Sequence, residues 1–232
     1  MEPNKFYILS AQCAKFFNPM LSLDKTEKID LLEKVNGKCG AILDGEPVVL
    51  PVPPDGPPDI PRFQLNSKDN AYRYGISLVR SDLSFHQIDE PNSQITDVSI
   101  DLLKFEKELL NIYVQEKSWK ITRLALIVDY VAELEDKTSE FIMNNFLKQK
   151  DSYSSVELSL LKKGAINGHN INRWFRIKCI ERVANSLHLK VDINTFAEEK
   201  LDIGVDEMIG FYNGAIEHMT QEISSTFKGL IK

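Results

Sequence analysis

Residues 121–134 read ITRLALIVDYVAEL, and their side chains alternate between two faces as those of a β-strand do. One face carries Leu124, Leu126, Val128, Tyr130, Ala132 and Leu134. The other carries Ile121, Arg123, Ala125, Ile127, Asp129 and Val131. This alternation predicts a long strand, around which the rest of the chain is arranged.

Groups of strands alternate with helices on both sides of this segment. Turns rich in Ser, Asp and Asn separate the short β-prone runs after residue 61, which is typical of an antiparallel meander. The other predicted strands are Lys5–Phe17, Arg62–Asn66, Tyr72–Val79, Leu83–Ile88, Val156–Lys163, Ile171–Val183 and Leu187–Ile193. The predicted helices are a short one begun by Asp24 and Glu27, then Asp97–Glu116, one led by Asp136, and Val205–Leu230.

The predicted order is therefore β-α-β-β-β-α-β-α-β-β-β-α. Adjacent strands with helices between groups favour an α+β fold with mostly antiparallel pairing over a doubly wound sheet. The second set of three strands and a helix suits one wide sheet in a single domain, 1–232. It equally suits two modules, 1–135 and 155–232, divided near Asp136 to Ser155.

Seven of the ten prolines lie between Pro47 and Pro61. Proline fixes φ and lacks an N–H, so this stretch cannot form a helix or a central strand. Residues 47–61 are predicted to be a stiff, partly extended connection on the surface. The alternative is a proline-rich ligand for an aromatic groove.

Composition excludes several classes of protein. The 232 residues are 43% hydrophobic and 27% charged, which is ordinary for a globular chain. The net charge of -6 argues against nucleic acid as the default partner. No apolar run is long enough for a membrane span, the N-terminus does not resemble a secretory signal, and three cysteines are too few for a disulfide framework. We expect a reduced, cytoplasmic protein.

No motif indicates catalysis or a cofactor. None of the histidines (His86, His169, His188 and His218) has a second ligand at a metal-binding spacing. Nucleotide-binding glycine loops and a nucleophile elbow are also missing from the sequence. Cys39, near the end of the first helix, is the cysteine expected to be most exposed. We therefore expect no cofactor, no metal, and a binding protein rather than an enzyme.

The helix predicted at Asp97–Glu116 has two apolar stripes where a helix on a sheet needs one. The first consists of Val98, Leu102, Phe105, Leu109 and Ile112, and the second of Leu103, Leu110 and Val114. Two stripes indicate a helix covered on both sides, by the sheet and by either another helix or a second subunit. Leu103, Leu110 and Val114 are thus a candidate oligomer surface.

Basic charge is concentrated on the strand that begins at Ile171. The candidate binding residues are Arg173, Trp174, Arg176, Lys178 and Arg182, with Lys162 and Lys163 on the preceding strand. Of these, Trp174, Arg176, Lys178 and Arg182 share one face. Arginine and tryptophan on an open sheet face can stack on bases and hold phosphates. The alternative is a solvated sheet face whose charge the acidic last helix balances.

Short phrases over most of the chain carry a family resemblance: Pro61–Leu65, Ile76–His86, Arg123–Ile127, and Val191–Asn194 followed by the helix His218–Phe227. They resemble a sporadically distributed, uncharacterised bacterial family whose fold is akin to the SecB-type chaperone. The chain departs from the family pattern where His86 and Gln87 replace a tryptophan after the hairpin phenylalanine. It also has Ile127 where the family has a second arginine.

The resemblance implies a sheet-and-helix module that oligomerises and holds extended polypeptide in apolar grooves. It transfers no functional residue, because the family has no agreed activity. We therefore expect a non-catalytic, protein-binding homo-oligomer. The alternative is a nucleic-acid-binding or processing protein that uses the Arg173, Trp174 and Arg176 face, within a defence or toxin–antitoxin locus as the family's sporadic distribution implies.

Overall fold

The computed structural model describes residues 6–53, 55–135, 137–148, 153, 155–180, 183–197, 201 and 203–228. The strands are Tyr7–Phe17 (β1), Val48–Val49 (β2), Phe63–Asn66 (β3), Tyr72–Ile76 (β4), Arg80–His86 (β5), Ile121–Glu133 (β6), Glu157–Ile166 (β7), His169–Ile180 (β8) and Val183–Thr195 (β9). The helices are Lys25–Cys39 (α1), Ile95–Leu110 (α2), Thr138–Ile142 (α3) and Val205–Thr226 (α4). α2 and α3 each continue into a π-helical segment, Asn111–Glu116 and Met143–Leu147.

The prediction of an α+β chain with an antiparallel sheet is confirmed. The predicted order lacks β2, a two-residue strand inside the proline-rich stretch. β2 lies at the edge of the sheet, where a neighbouring proline deprives no inner strand of a hydrogen bond.

The backbone N–H of Glu27 donates to the Asp24 carboxylate at 2.8 Å, which fixes the start of α1. Three residues at the ends of predicted elements lie outside the described residues: Lys5, Asp136 and Leu230.

All nine described strands belong to one sheet in the order β2-β3-β4-β5-β1-β6-β9-β8-β7. Every neighbouring pair is antiparallel, and β1 joins the meander β2–β5 to β6. β6 and β9 pair from Ala125 opposite Asn194 to Glu133 opposite Ser186. The sheet therefore runs through both candidate modules, whose division at 1–135 and 155–232 stays a prediction.

The helices cover one face of this sheet. The Tyr130 hydroxyl of β6 lies 3.7 Å from the Met219 sulfur of α4, and the Phe175 ring of β8 stacks on that of Phe227. The residues of β9 that share this face are fully buried: Leu187, Leu189, Val191 and Ile193. We call the opposite face, on which no described helix packs, the open face.

Both stripes of α2 are used inside the chain. Leu110 is fully buried and Leu103 is 9% exposed, while Val114 is partly buried against the core. α1 and α4 both pack against α2, so neighbouring helices cover the stripe that faces away from the sheet. Leu103 and Leu110 are therefore buried within the chain and not available as an oligomer surface, and Val114 is only partly exposed.

A buried ion pair lies between the sheet and α2. The Lys15 ammonium on β1 is 2.6 Å from Glu106 Oε2, and both side chains are fully buried. Burial raises the pKa of Glu106, and the Lys15 charge opposes that shift. Beside the pair, the Tyr113 hydroxyl is 2.7 Å from that of Tyr74, which lies on β4. The core between sheet and helices thus contains a polar cluster inside an apolar layer.

Candidate functional site

The open face brings together side chains from strands that are far apart in sequence. Its residues alternate with the core residues along β8, β9, β6 and β1. Two adjacent cross-strand rows form its centre: Trp174–Asp192–Ile127–Gln12 and Arg176–Lys190–Asp129–Ser10. The strand register, rather than any local motif, therefore assembles this surface.

Trp174, Arg176 and Lys178 all lie on the open face. The Arg176 guanidinium is 5.3 Å from the centre of the Trp174 ring, a cation–π distance. Lys178 is exposed, and Trp174 and Arg176 are partly exposed. The geometry presents a flat ring and two cations to solvent.

The structure separates Arg173 from this group. Arg173 lies on the helix-covered face, and its Nη1 is 2.8 Å from Glu222 Oε2 on α4. The Arg173 charge is therefore paired within the chain, and Arg173 is not part of the open face. Arg182, the remaining predicted residue, lies outside the described residues.

The two lysines of β7 point in opposite directions. Lys163 lies opposite Asn172 on the open face, and its ammonium is 5.4 Å from the centre of the Phe196 ring. Lys162 lies opposite Arg173 on the other face. Only Lys163 extends the basic surface around Trp174.

A second aromatic–cation cluster lies on the same face and was not predicted from the sequence. Two guanidinium groups lie within cation–π distance of the Phe16 ring of β1, Arg80 at 5.2 Å and Arg123 at 5.0 Å from its centre. Arg123 also donates to Asn194 Oδ1 at 2.8 Å, which orients the guanidinium. The three residues of this cluster come from β5, β1 and β6, so no spacing in the sequence could have indicated it.

Asp129 is the centre of a hydrogen-bonded cluster on the open face. Its carboxylate oxygens lie 3.1 Å from Ser10 Oγ, 3.3 Å from His188 Nε2 and 3.3 Å from Lys190 Nζ. Ser10 and His188 each contact the Asp129 carboxylate directly. In a catalytic triad the imidazole instead lies between the serine hydroxyl and the carboxylate. The arrangement therefore stabilises a charge and does not activate Ser10.

The titration of Asp129 gives the protein an acid-sensitive contact. Burial alone would raise its pKa, but the bond to His188, the Lys190 charge and Ser10 together lower it below the ordinary value of 3.8. A lowered folded-state pKa contributes stability that is present above about pH 4 and is lost as the pH falls through the folded pKa. We expect Asp129→Asn to lose stability at neutral pH and to show a shallower loss on acidification.

Urea unfolding of wild-type protein and Asp129→Asn between pH 6 and pH 2.5 measures this difference. The two curves of unfolding free energy against pH are expected to converge at the acid end. A gap that stays constant over the whole range would contradict the role of the Asp129 carboxylate.

Other candidate sites lose support. Cys39 was predicted to be the most exposed cysteine, but it is fully buried, and burial raises its pKa to about 12. In the described part of the chain, no group of three or more His, Cys, Asp or Glu is placed to hold a metal ion. An open groove of about 560 Å³ between α2 and the start of α4 is crossed by the Lys107–Asp206 ion pair. It lies on the helix side, away from the aromatic–cation clusters.

No family model, curated protein or solved structure matches this chain. The resemblance to the SecB-like family stays a prediction. Among the described helices, none combines the length and the apolar character that crossing a membrane requires.

Proposed function

We propose that this protein is a non-catalytic binding module that holds single-stranded nucleic acid across the open face of its sheet. One observation carries the proposal: two aromatic rings on this face, Trp174 and Phe16, each lie against guanidinium groups. Aromatic side chains on an uncovered sheet stack on unpaired bases, and neighbouring cations contact the phosphates. The pairing of rings with cations on one surface supports this function over a merely solvated face.

The charge of the open face differs from that of the whole chain. Two of its acidic residues have cationic partners: Asp129 contacts Lys190 and His188, and Asp82 lies 2.7 Å from Arg80. A third, Asp192, accepts a hydrogen bond from the Asn194 amide at 2.9 Å. Within the described residues, neither Arg176 nor Lys178 forms an ion pair. Those two charges remain available to phosphates although the net charge of the chain is -6.

The two rings are separated by a distance that a short oligonucleotide spans. Trp174 and Phe16 lie three strand spacings and four residues apart on the sheet. Spacings of about 4.8 Å between strands and 3.4 Å along them give a separation of roughly 20 Å. An oligonucleotide of about 10 nucleotides is therefore long enough to contact both clusters.

We expect fluorescently labelled RNA or DNA of that length to bind in low salt, with an affinity that falls as salt rises. Trp174→Ala should weaken binding by about 5-fold to 150-fold, since stacking contributes ~1–3 kcal/mol per base. Lys163→Ala should weaken binding and reduce the dependence on salt by about one phosphate contact. Fluorescence anisotropy measures all three effects.

Lys162→Ala is the matched control. It removes the same charge from the neighbouring residue, but on the opposite face of β7. Its affinity should equal that of the wild-type protein. No anisotropy change with several RNA and DNA sequences in low salt, or equal losses for the two lysine variants, would reject the proposal.

The protein-binding oligomer implied by the family resemblance remains a second proposal. The surface first assigned to it, Leu103, Leu110 and Val114, is covered inside the chain. Such an oligomer needs a different contact. The outer edge of β7 is the described feature that favours one.

A further inference from the structure

The edge of the sheet formed by β7 is long and exposed. β7 ends the sheet and pairs only with β8 among the described strands. Its side chains from Ser159 to Ala165 are exposed, with Leu160 at 47% and Leu161 at 46%. The opposite edge, β2, is two residues long and lies among prolines, which is how proteins usually protect an edge. Among the described strands, the β7 edge is therefore the one that offers a long row of backbone groups without a strand partner.

The turn that ends β7 determines which backbone groups point outward. Asn167 and Gly168 have φ angles of 50° and 85°, as in a two-residue turn of type I′. Such a turn is closed by a hydrogen-bonded pair, here Ile166 with His169. Because the pattern alternates along an antiparallel pair, even-numbered residues of β7 bond to β8 and odd-numbered residues direct their N–H and C=O groups away from it.

We propose that a second copy of this chain adds to the sheet through the same edge, with the two β7 strands antiparallel about a two-fold axis at Leu160. In this register Leu160 faces its own counterpart, and the contact covers the exposed side chains of both. Ser159 lies opposite Leu161, and their outward backbone groups form a hydrogen-bonded pair. The strand is thus complementary to itself, as a two-fold contact requires.

Charge selects this register over its neighbours. With the axis at Leu160, Glu157 of each copy lies opposite Lys163 of the other, on the same face of the combined sheet. Opposite charges directly across two strands are stabilising. An axis at Leu161 would instead place Lys163 opposite Ser159 and Glu157 opposite Ala165. The Glu157–Lys163 pairs therefore favour the register with the axis at Leu160.

The dimer would also extend the open face. The two copies keep the same face of the sheet on one side, since the axis is perpendicular to the sheet. Trp174 lies opposite Leu161, one strand from the edge, so the two copies place their tryptophans on one continuous surface. The proposed dimer depends only on the β7 edge and does not require the open face to bind nucleic acid.

A cysteine at the two-fold axis tests the register directly. Directly opposed residues of a non-hydrogen-bonded pair have Cα atoms about 4.5 Å apart, which a disulfide spans. With the partly exposed Cys179 replaced by Ser, Leu160→Cys should form a covalent dimer on oxidation. Leu158→Cys is the matched control, because in this register Leu158 faces Lys162, and it should stay monomeric on a non-reducing gel.

Charge reversal tests the same contact without a crosslink. In light scattering of the wild-type protein without oligonucleotide, we expect twice the 26.5 kDa chain mass. Glu157→Lys and Lys163→Glu should each shift the protein to the monomer, and the combined double variant should restore the dimer. Lys162→Glu, the matched control, should leave the mass unchanged.

A wild-type mass of 26.5 kDa at all concentrations would overturn the proposal, as would equal crosslinking of the Leu158→Cys and Leu160→Cys variants. A double variant that stays monomeric would also overturn it. A dimer that binds no oligonucleotide would uphold this contact and reject the proposed function, so the two failures are distinguishable.

Discussion

Replacing Glu106 by Ala is expected to lower the free energy of unfolding by about 3–5 kcal/mol. The change leaves the Lys15 ammonium fully buried without its partner, which lies 2.6 Å away in the wild-type protein. A buried charge without a counter-charge is far costlier than the loss of a single hydrogen bond. Lys15→Ala should cost a similar amount for the same reason.

The double variant Lys15→Met/Glu106→Leu should recover most of that loss. Apolar side chains of similar volume remove both desolvation costs, so replacing the whole pair is often neutral or stabilising. Urea unfolding at pH 7, followed by circular dichroism, gives the unfolding free energies of the wild-type protein, the two alanine variants and the double variant.

An exposed ion pair supplies the control. Lys107 on the same helix pairs with Asp206 at 2.8 Å, but both side chains face solvent. Lys107→Ala should change stability little, because water already screens that pair. If Glu106→Ala lowers the free energy of unfolding no more than Lys107→Ala does, the prediction for the buried ion pair is wrong.

Leu110→Ala should lower the free energy of unfolding by about 2–5 kcal/mol. Leu110 is fully buried in the core, so the truncation removes apolar contacts and leaves a cavity. Ile100→Ala is the matched control, since Ile100 lies on the same helix and is 72% exposed. It should leave the urea midpoint nearly unchanged.

Leu110→Lys separates the two interpretations of the second stripe on α2. A charge placed in the core should prevent folding, whereas a charge placed on a subunit surface would yield a folded protein of lower mass. Circular dichroism and light scattering of the same sample decide between them. A folded variant with a wild-type midpoint and a reduced mass would contradict the structure.

The order of elements was predictable because it depends on local periodicity. β9 alternates apolar and polar residues from Leu187 to Asn194, and a period of two is a property of the extended chain itself. The short edge strand β2 was not predicted. It consists of two exposed valines whose pairing with β3 depends on tertiary contact rather than on a pattern.

The candidate site was predictable only where it lies on one strand. Trp174 and Arg176 are two residues apart on β8, so alternation alone places them on one face. The contact of Phe16 with Arg123 and that of Ser10 with Asp129 join strands separated by more than a hundred residues along the chain. Such contacts depend on which strands are neighbours and in which register, and neither is encoded in local spacing.

The sequence by itself determined the two faces of each strand and the two stripes of α2, because backbone geometry fixes both periods. Only the tertiary structure decided which face the helices cover. In the folded chain Arg173 pairs with Glu222 and Lys15 pairs with Glu106. The helices α1 and α4 pack against α2. Burial is a property of the whole assembled chain, since the atoms that exclude water from one residue come from elements far away in sequence.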